Sequence, residues 1–346
     1  MRIVTPRPSK AKTSHSIEIG TARLSVTPPA PFHFAHNARF HGWVALAPNN
    51  WNADRQSVER VERLRCGTVV TLDISGTDGR ENPGISVAVR WALTGAGDQA
   101  GPKRLPPKQR AEIKAAVRRM FRLDEDFSEF YTLCEKRRGG HWKQAPGLGR
   151  LLRSPTVFED VVKTICTTNI QWGGTKRMLH ELVAEFGEPF PGGASIASSG
   201  QPPGDRTLRA FPTPEAIALV SEKAFLKRVN MGYRGPYVHR LARQVASGDL
   251  DLERLLDPAI PTAEVNAQLR SIKGVGNYAA ATLLMLLGRY DELAVDTVFR
   301  EFVSKKYFAG ETPPDADARK IYAKWGRWKY LAFWFDMWSS RQETTG

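Results

Sequence analysis

The spacing of apolar positions changes near residue 107 and divides the chain into two parts. From about Ser16 to Leu93, short runs that alternate apolar and polar residues are separated by Pro- and Gly-containing turns, which is typical of antiparallel strands. These runs are Ile17–Val26, His41–Leu46, Thr68–Ile74 and Ile85–Trp91. The pattern predicts an antiparallel β domain over residues 16–105, preceded by a flexible basic arm at 1–15.

After residue 107 the apolar residues recur at helical spacing. The pattern predicts helices at Lys108–Phe121, Phe127–Cys134, Ser154–Thr167, Thr175–Phe186, Pro214–Val220, Glu222–Val229, Gly235–Ser247, Thr262–Ile272, Asn277–Gly288, Thr297–Tyr307 and Asp315–Trp338. The Gly- and Pro-rich stretch Pro189–Pro214 interrupts them and predicts a long, mobile surface loop. The predicted fold class is therefore α+β, with the mostly helical region at 106–346.

Composition narrows the class of protein. The chain has 346 residues, of which 41% are hydrophobic, so it can bury a sizeable core. Neither an apolar run of about 20 residues nor a signal peptide is present, so we expect no membrane association. Three widely spaced cysteines indicate a reducing compartment rather than a disulfide framework.

The charge balance points to a polyanion. Fifty Lys and Arg residues against 36 Asp and Glu residues give a formal net charge of +14. Charge alone favours nucleic acid and a merely solvated basic surface about equally. The seven histidines are scattered, and the chain has no nucleotide-binding glycine motif, so we expect no catalytic metal and no required cofactor.

The segment at 269–282 carries the most information about function. A predicted helix ends at Ile272, Gly274 and Gly276 form a tight turn, and a second helix begins at once. The unpaired N–H groups at the start of that helix would suit a phosphate, although an ordinary hairpin between two helices has the same pattern. Twenty residues after Gly276 stands Asp296, at a position where a carboxylate would also cap the next helix.

Together these residues resemble the helix–hairpin–helix (HhH-GPD) DNA glycosylases of base excision repair. Residues 165–170 and 231–238 are similar to segments of the 8-oxoguanine glycosylases, and Trp325–Trp338 is similar to the final helix of the type II 3-methyladenine glycosylases. Both groups carry a small β domain in front, as here. The chain departs from the family at Lys273, where the hairpin usually has proline.

The resemblance implies a flipped-out base and hydrolysis of its N-glycosidic bond. Asp296 would stabilise the positive charge that develops on the sugar and would orient or deprotonate the attacking water. Bifunctional members carry a nucleophilic lysine two residues after the second hairpin glycine, where this chain has Tyr278. Because a phenol cannot form an iminium ion, we expect a monofunctional enzyme.

The resemblance also implies contacts with double-stranded DNA. We therefore expect a cytoplasmic, nucleoid-associated protein if it is bacterial and a nuclear one if it is eukaryotic. Asn169 would enter the gap that the flipped base leaves, Tyr233 would act as a wedge, and Arg234 would contact the unpaired base; a helix cap, a core-edge aromatic and a surface charge are the plain alternatives. The hairpin is expected to contact DNA phosphates through Lys273, Gly274, Gly276 and Asn277. Family members hold a monovalent cation, Na⁺ or K⁺, on backbone carbonyls of this hairpin, and such a structural cation is possible here.

The expected base pocket is aromatic. Tyr278 and Trp334 are placed in it, while Gln171 and Trp172 either line its mouth or pack against the core. Tyr278 and the aromatic last helix favour alkylated purines, whereas Asn169, Tyr233 and Arg234 favour oxidised guanine opposite cytosine. We expect a monomer that acts on alkylated purines; an 8-oxoguanine glycosylase and a non-catalytic protein that binds DNA lesions are the alternatives.

Overall fold

The computed structural model describes residues 17–77, 84–93, 102–137, 139–191 and 208–343. Its strands are β1 (Ile19–Val26), β2 (Asn50–Asn52), β3 (Ser57–Arg63), β4 (Val69–Gly76) and β5 (Ile85–Ala92). Its helices are α1 (Phe34–Arg39), α2 (Pro107–Met120), α3 (Ser128–Glu135), α4 (Val157–Thr167), α5 (Trp172–Phe186), α6 (Pro214–Ala218), α7 (Glu222–Arg228), α8 (Gly235–Ala246), α9 (Thr262–Ser271), α10 (Asn277–Leu286), α11 (Thr297–Tyr307), α12 (Asp315–Ala323) and α13 (Lys329–Glu343). The α+β prediction is confirmed.

The five strands form one antiparallel sheet in the order β1-β5-β4-β3-β2. Alternate residues of the central strands are buried, among them Leu72, Ile74 and Val87, so one face of the sheet packs on the core. The alternating sequence runs located β1, β4 and β5, while β2 and β3 were not among them. The apolar residues of β3, Val58 and Val61, are three positions apart with Glu59 and Arg60 between them, so this strand lacks the alternation that marks the others.

The prediction of a strand at His41–Leu46 is wrong. Helix α1 ends just before it, and residues Trp43–Ala45 form a 3₁₀ turn. Gly42, at φ +88°, turns the backbone into a conformation that a strand does not use. The apolar residues of this segment instead pack on the end of the chain, where the Phe40 and Trp338 rings stack with centroids 5.2 Å apart.

Helix α10 lies at the centre of the helical region. Its residues from Ala279 to Leu286 are all buried, and it packs against α9 and α4. The predicted boundaries of the helices from α6 to α11 hold within about two residues. The single helix predicted at Asp315–Trp338 is divided, because Gly326, at φ +56°, and a 3₁₀ turn separate α12 from α13.

A buried ion-pair network joins the sheet to the helical region. Arg60 on β3 pairs with Glu159 on α4 at 2.8 Å and with Glu62 at 2.6 Å, and Lys163 approaches Glu159 at 2.7 Å. Burial works to raise the pKa of Glu159, but Arg60 and Lys163 outweigh it and lower that pKa to about 2. The apolar side chains of both parts form one continuous core, so the domain boundary at 105/106 stays a prediction.

Some predictions fall on parts of the chain that the structure does not describe. The basic arm at 1–15 lies outside the described residues, as does most of the loop predicted at 189–214. Among the helices that are described, none is long and apolar enough to cross a bilayer.

We predict that Arg60→Ala lowers the free energy of unfolding by about 3 kcal/mol or more, because it removes one cation from the buried Glu159 carboxylate and leaves the half-buried Glu62 without its partner. Urea denaturation measures the change. Arg55→Ala is the matched control, since Arg55 pairs with Glu59 at the exposed edge of the sheet, and we expect it to cost less than about 1 kcal/mol. Equal losses in the two variants would contradict the role given to the network.

Candidate nucleic-acid interface and base pocket

The turn between α9 and α10 is a tight hairpin whose conformation depends on Gly274. This residue has φ +95°, and a Cβ there would lie 2.7 Å from Cδ2 of Tyr237. Gly276 then precedes the first turn of α10, and its carbonyl accepts the Ala280 N–H at 2.9 Å. Lys273, Gly276 and Asn277 are exposed, so the hairpin presents a cation and the free N–H groups of a helix N-terminus to the outside.

Tyr237 connects this hairpin to the residues predicted to hold opened DNA. Lys273 Nζ lies 5.9 Å from the centre of the Tyr237 ring, and that ring packs edge-on against Tyr233 at 6.0 Å. The Asn169 amide donates to the Tyr233 hydroxyl at 3.3 Å. The structure thus brings the hairpin, Tyr233 and Asn169 onto one exposed face, as a common DNA-binding role requires.

Two of these residues have backbone or burial features that suit a protruding tip. Asn169 is exposed and sits at φ +47°, in the left-handed region that asparagine tolerates better than most residues. Tyr233 is 50% exposed, although tyrosine usually buries its ring. The prediction that Tyr233 is only a core-edge aromatic is therefore less consistent with the structure than a wedge.

Arg234 is placed differently from its two neighbours. Its side chain is buried, donates to the Thr168 carbonyl, and lies 4.3 Å from the centre of the Tyr233 ring. The plain alternative of a solvated surface charge is wrong. In this structure Arg234 supports the Asn169 loop and Tyr233 from beneath, and its contact with an unpaired base stays a prediction.

Asp296 stands at the N-terminus of α11, where its Oδ1 accepts the Phe299 N–H at 2.7 Å. It is therefore the helix cap that the sequence allowed. Burial raises the pKa of this carboxyl, while the N–H groups at the start of α11 and Arg300 act to lower it. Asp296 is half-buried, so part of the carboxylate stays accessible despite the cap hydrogen bond. We call the space between this carboxylate and the aromatic residues Tyr278, Tyr330 and Trp334 the cleft.

Tyr278 faces Asp296 across this cleft. Burial raises the pKa of the Tyr278 hydroxyl, the negative charge of Asp296 raises it further, and the hydroxyls of Thr167 and Thr282 lower it. Burial also raises the pKa of Tyr330, again with contributions from Tyr278 and Asp296. Because charges affect a pKa only over short distances, the phenols of α10 and α13 lie near the carboxylate. Tyr330 is buried and marks the wall that α13 contributes to the cleft.

Trp334 extends this wall, one turn along α13 from Tyr330. It is partly buried, packs on Phe333 at 5.8 Å between ring centres, and contacts the His41 ring edge-on at 6.1 Å. Tyr330 therefore links Trp334 to Tyr278 and Asp296, since all three affect its pKa.

The segment at 171–172 lies at the edge of the cleft. Trp172 is 41% exposed, and its ring lies against Gly42, where a Cβ would be 3.2 Å from Cζ2. Gln171 is exposed just before α5 begins. Of the two alternatives left by the sequence, the mouth of the cleft therefore fits both residues better than core packing.

Sequence reasoning missed three residues that the structure places here, namely Tyr237, Tyr330 and His41. Tyr237 lies one helical turn after the predicted wedge, which is a signal that could have found it. Tyr330 lies four residues before Trp334 and was hidden among the aromatic residues of the last helix. Nothing in its local sequence marks His41, which joins the site only through tertiary contacts.

The arrangement combines three chemical capacities. An exposed cationic hairpin can bind phosphate, an aromatic cleft can hold a planar ring, and a half-buried carboxylate can stabilise a developing cation next to that ring. No group of three or more His, Cys, Asp or Glu side chains that could hold a metal ion occurs within the described ranges.

Comparison with known proteins finds a similarity to one protein family. Residues 162–327, which include the hairpin, Tyr278 and Asp296, match the family model of the HhH-GPD superfamily base excision DNA repair proteins. These residues make up just under half of the chain. The matched segment begins inside α4 and ends at the 3₁₀ turn before α13, so it excludes the sheet and the last helix.

A curated relative is similar to about half of the chain. The chain is 27% identical over 188 residues to a DNA-3-methyladenine glycosylase of Bacillus subtilis (strain 168), and the alignment covers 53% of this chain. The chain spans about half the length of that relative, 56%.

Solved structures show that the fold extends beyond the matched segment. The chain is similar to a 3-methyladenine DNA glycosylase from Archaeoglobus fulgidus, with TM-score 0.67 and 18% identity over 92% of this chain and 98% of the other. It is also similar to a Clostridium acetobutylicum 8-oxoguanine glycosylase/lyase in complex with double-stranded DNA containing cytosine opposite 8-oxoG, with TM-score 0.54 and 18% identity over 82% and 88% of the chains. The shared fold therefore extends well beyond residues 162–327.

We predict that the two hairpin glycines differ in how well they tolerate substitution by alanine. Gly274→Ala should lower the free energy of unfolding by about 2 kcal/mol or more, because alanine is strained at φ +95° and its Cβ overlaps Tyr237. Gly276→Ala should cost less than about 1 kcal/mol, since its φ is −88° and a Cβ there meets no atom within 4 Å. Thermal and urea unfolding measure both variants, and an equal response would show that the hairpin is built differently.

Proposed function

We propose that this HhH-GPD protein is a DNA N-glycosylase that turns a damaged base out of double-stranded DNA and hydrolyses its N-glycosidic bond. The observation that carries the proposal is Asp296, a half-buried carboxylate held opposite the phenol of Tyr278 in an aromatic cleft. The family match and the DNA-3-methyladenine glycosylase relative support the same reaction.

Cleavage leaves positive charge on C1′ and the ring oxygen of the sugar. A carboxylate beside that charge lowers the barrier because the attraction is strongest near the transition state. The hydrogen bond from Phe299 N–H leaves the carboxylate fixed in direction, so little reorganisation is needed when the charge appears. Asp296 also orients the attacking water or takes its proton, and its raised pKa makes it a better base than a solvated aspartate.

The enzyme is monofunctional in this proposal. Tyr278 occupies the position of the family's Schiff-base lysine, and its pKa is raised, so it remains a neutral phenol near neutral pH. Lys163 on α4 is buried and paired with Glu159, and Lys273 is exposed on the outside of the hairpin. Neither of these two lysines is placed to capture the sugar.

DNA binds across the face that joins the hairpin to Asn169. The N–H groups at the start of α10 and the Lys273 ammonium contact a phosphate, while Tyr233 and Asn169 occupy the opened base step. A protein of the same fold, the Clostridium acetobutylicum 8-oxoguanine glycosylase/lyase, forms a complex with double-stranded DNA, which supports this proposal. We expect the protein to act as a monomer, because these contacts all come from one chain.

A monovalent cation in the hairpin is part of the proposal. The turn from Ile272 to Gly276 can supply only neutral backbone carbonyls, a donor set that suits Na⁺ or K⁺ better than a divalent ion. The Ile272 carbonyl already accepts the Val275 N–H at 3.0 Å, so the remaining carbonyls of Lys273, Gly274 and Val275 would hold the ion. Bound there, a cation would add positive charge beside the DNA phosphate.

Alkylated purines are the proposed substrates. Tyr278 and Trp334 present aromatic faces to the cleft, and a cationic alkylpurine gains more from such faces than a neutral base does. An 8-oxoguanine substrate is the second candidate, favoured by the exposed Asn169–Tyr233 pair that resembles the 8-oxoguanine enzymes. A panel of duplexes with one lesion each separates the two.

We predict that Asp296→Asn lowers single-turnover excision by about 10²-fold or more while binding to lesion DNA remains, because the carboxylate acts mainly in the transition state. Asparagine caps a helix about as well as aspartate, so the free energy of unfolding should change by less than about 1 kcal/mol. The acid limb of the wild-type rate profile should lie above about pH 4, the ordinary value for aspartate, since the raised pKa protonates Asp296 earlier on acidification.

Ser221→Ala is the matched control for the cap. Its hydroxyl accepts the Ala224 N–H at the start of α7, a different helix from the one that Asp296 caps, so the variant loses a cap without losing the carboxylate. We expect about 1 kcal/mol of destabilisation and unchanged excision. Full activity in Asp296→Asn would refute the role given to the carboxylate.

We predict that borohydride traps no covalent complex between the wild-type protein and lesion DNA, and that strands break only after alkali treatment. The reason is the absence of an amine at position 278. Gel electrophoresis after the reaction measures both outcomes, and Tyr278→Lys, which restores an amine there, is the informative partner variant. A trapped complex with the wild-type chain would contradict the monofunctional assignment.

A further inference from the structure

His41 reaches the cleft from the N-terminal part of the chain. Its ring stacks on Trp43, with centroids 5.0 Å apart and an angle of 10° between the planes. Trp43 is itself fixed, because its indole N–H donates to Asp160 Oδ1 on α4 at 3.1 Å. The ring edge of His41 then meets Trp334 at 6.1 Å and 85°.

The polar atoms of this histidine have no partner. Both Nδ1 and Nε2 are shielded from solvent, and no described residue forms a hydrogen bond with either. Buried nitrogens of native proteins are nearly always hydrogen-bonded, so an imidazole with two unpaired nitrogens needs an explanation. A ligand atom that enters the cleft would supply one.

The surroundings hold the ring neutral. Burial, together with the charges of Arg122 and Lys163, lowers the pKa of His41 to about 3. A neutral imidazole offers one N–H donor and one acceptor nitrogen. The two nearby cations favour a ligand that turns an electronegative atom towards this ring, and therefore favour the donor role.

The position of His41 relates it to the proposed base site. The next residue, Gly42, lies against the Trp172 ring at the mouth of the cleft. On the other side of His41 lies Trp334, four residues after Tyr330 on α13. The charges of Tyr278 and Asp296 raise the pKa of Tyr330, so that residue lies near both. His41 therefore lies between the mouth and the wall that carries the carboxylate.

We propose that His41 is a specificity-determining residue that donates a hydrogen bond to an acceptor atom on the edge of the flipped purine. All purines carry an acceptor at N7, so an N–H donor discriminates between them at C6, where a 6-oxopurine presents an acceptor and a 6-aminopurine presents a donor. The chemical class that it selects is therefore a purine with an oxygen at C6. This inference deepens the proposed function and rests on it, since it requires a base to be turned into this cleft. In this proposal the N-terminal part of the chain recognises the base and does not only pack against the helices.

The test is a thermodynamic cycle between His41→Phe and the C6 oxygen of the base. Duplexes carry either hypoxanthine, a 6-oxopurine, or unsubstituted purine, each on a 2′-fluoro sugar that resists excision. Fluorescence anisotropy measures binding at fixed salt, because the phosphate contribution depends strongly on ionic strength. Removing the oxygen should cost the wild type about tenfold in affinity and His41→Phe less than about twofold, as expected for one buried hydrogen bond.

Two further variants make the cycle specific. His41→Gln keeps an N–H donor and should restore part of the discrimination, whereas a purely structural role for the ring would not respond to that difference. His36→Phe is the matched control, because His36 packs edge-on against Trp338 at 5.4 Å in the same segment and should leave both affinities unchanged.

The outcomes separate this inference from the proposed function. Equal losses for hypoxanthine and purine in His41→Phe, or a wild-type protein that binds both duplexes equally, would overturn the role of His41. Failure of the wild type to excise any lesion on a natural sugar would overturn the glycosylase proposal alone, since binding to the 2′-fluoro duplexes needs no cleavage. If His41→Phe does not fold, the comparison of wild type with His41→Gln decides the question.

Discussion

The hydrogen bond from Phe299 N–H to Asp296 Oδ1 is the contact on which the account of this protein depends. It starts helix α11 and at the same time fixes a carboxylate in a half-buried cleft. The N–H groups at the start of α11 lower the pKa of Asp296 and so offset part of the penalty of burial, which keeps a charged group where water is scarce. Structural and chemical roles are therefore carried by the same side chain.

The rest of the cleft is assembled from segments that are far apart in sequence. Helix α10 brings Tyr278 opposite Asp296, α13 brings Trp334, and the residues after α1 bring His41. The Arg60–Glu159 pair ties the sheet to α4, the helix that also carries Lys163 and Thr167. The buried network thus holds the N-terminal part of the chain against the helices, and the cleft needs both.

The sequence predicts regular elements well where the apolar pattern and the cap agree. The helices from α6 to α11 are of this kind, because residues such as Thr213, Ser221 and Asp296 cap them as the residue type suggests. The pattern fails at His41–Leu46, where tertiary packing of Phe40 on α13 and a left-handed Gly42 override the alternation. It also fails to show the break at Gly326.

The candidate site shows the same difference between residues that local sequence marks and residues that tertiary contacts bring in. Hairpin residues and Asp296 could be predicted, because spacing along the chain and the family resemblance both mark them. Tyr237 and His41 could not be singled out, since their roles arise from contacts made only in the folded chain: Tyr237 fills the space beside Gly274, and His41 meets Trp334. The local sequence around these residues does not predict such contacts.

The most direct test is a crystal structure of the wild-type protein with a duplex that carries a 2′-fluoro lesion nucleotide. Our account predicts that the lesion base lies between Tyr278 and Trp334, with a carboxylate oxygen of Asp296 within about 4 Å of C1′. An extruded nucleotide remote from Asp296, with the carboxylate serving only the end of α11, would contradict it.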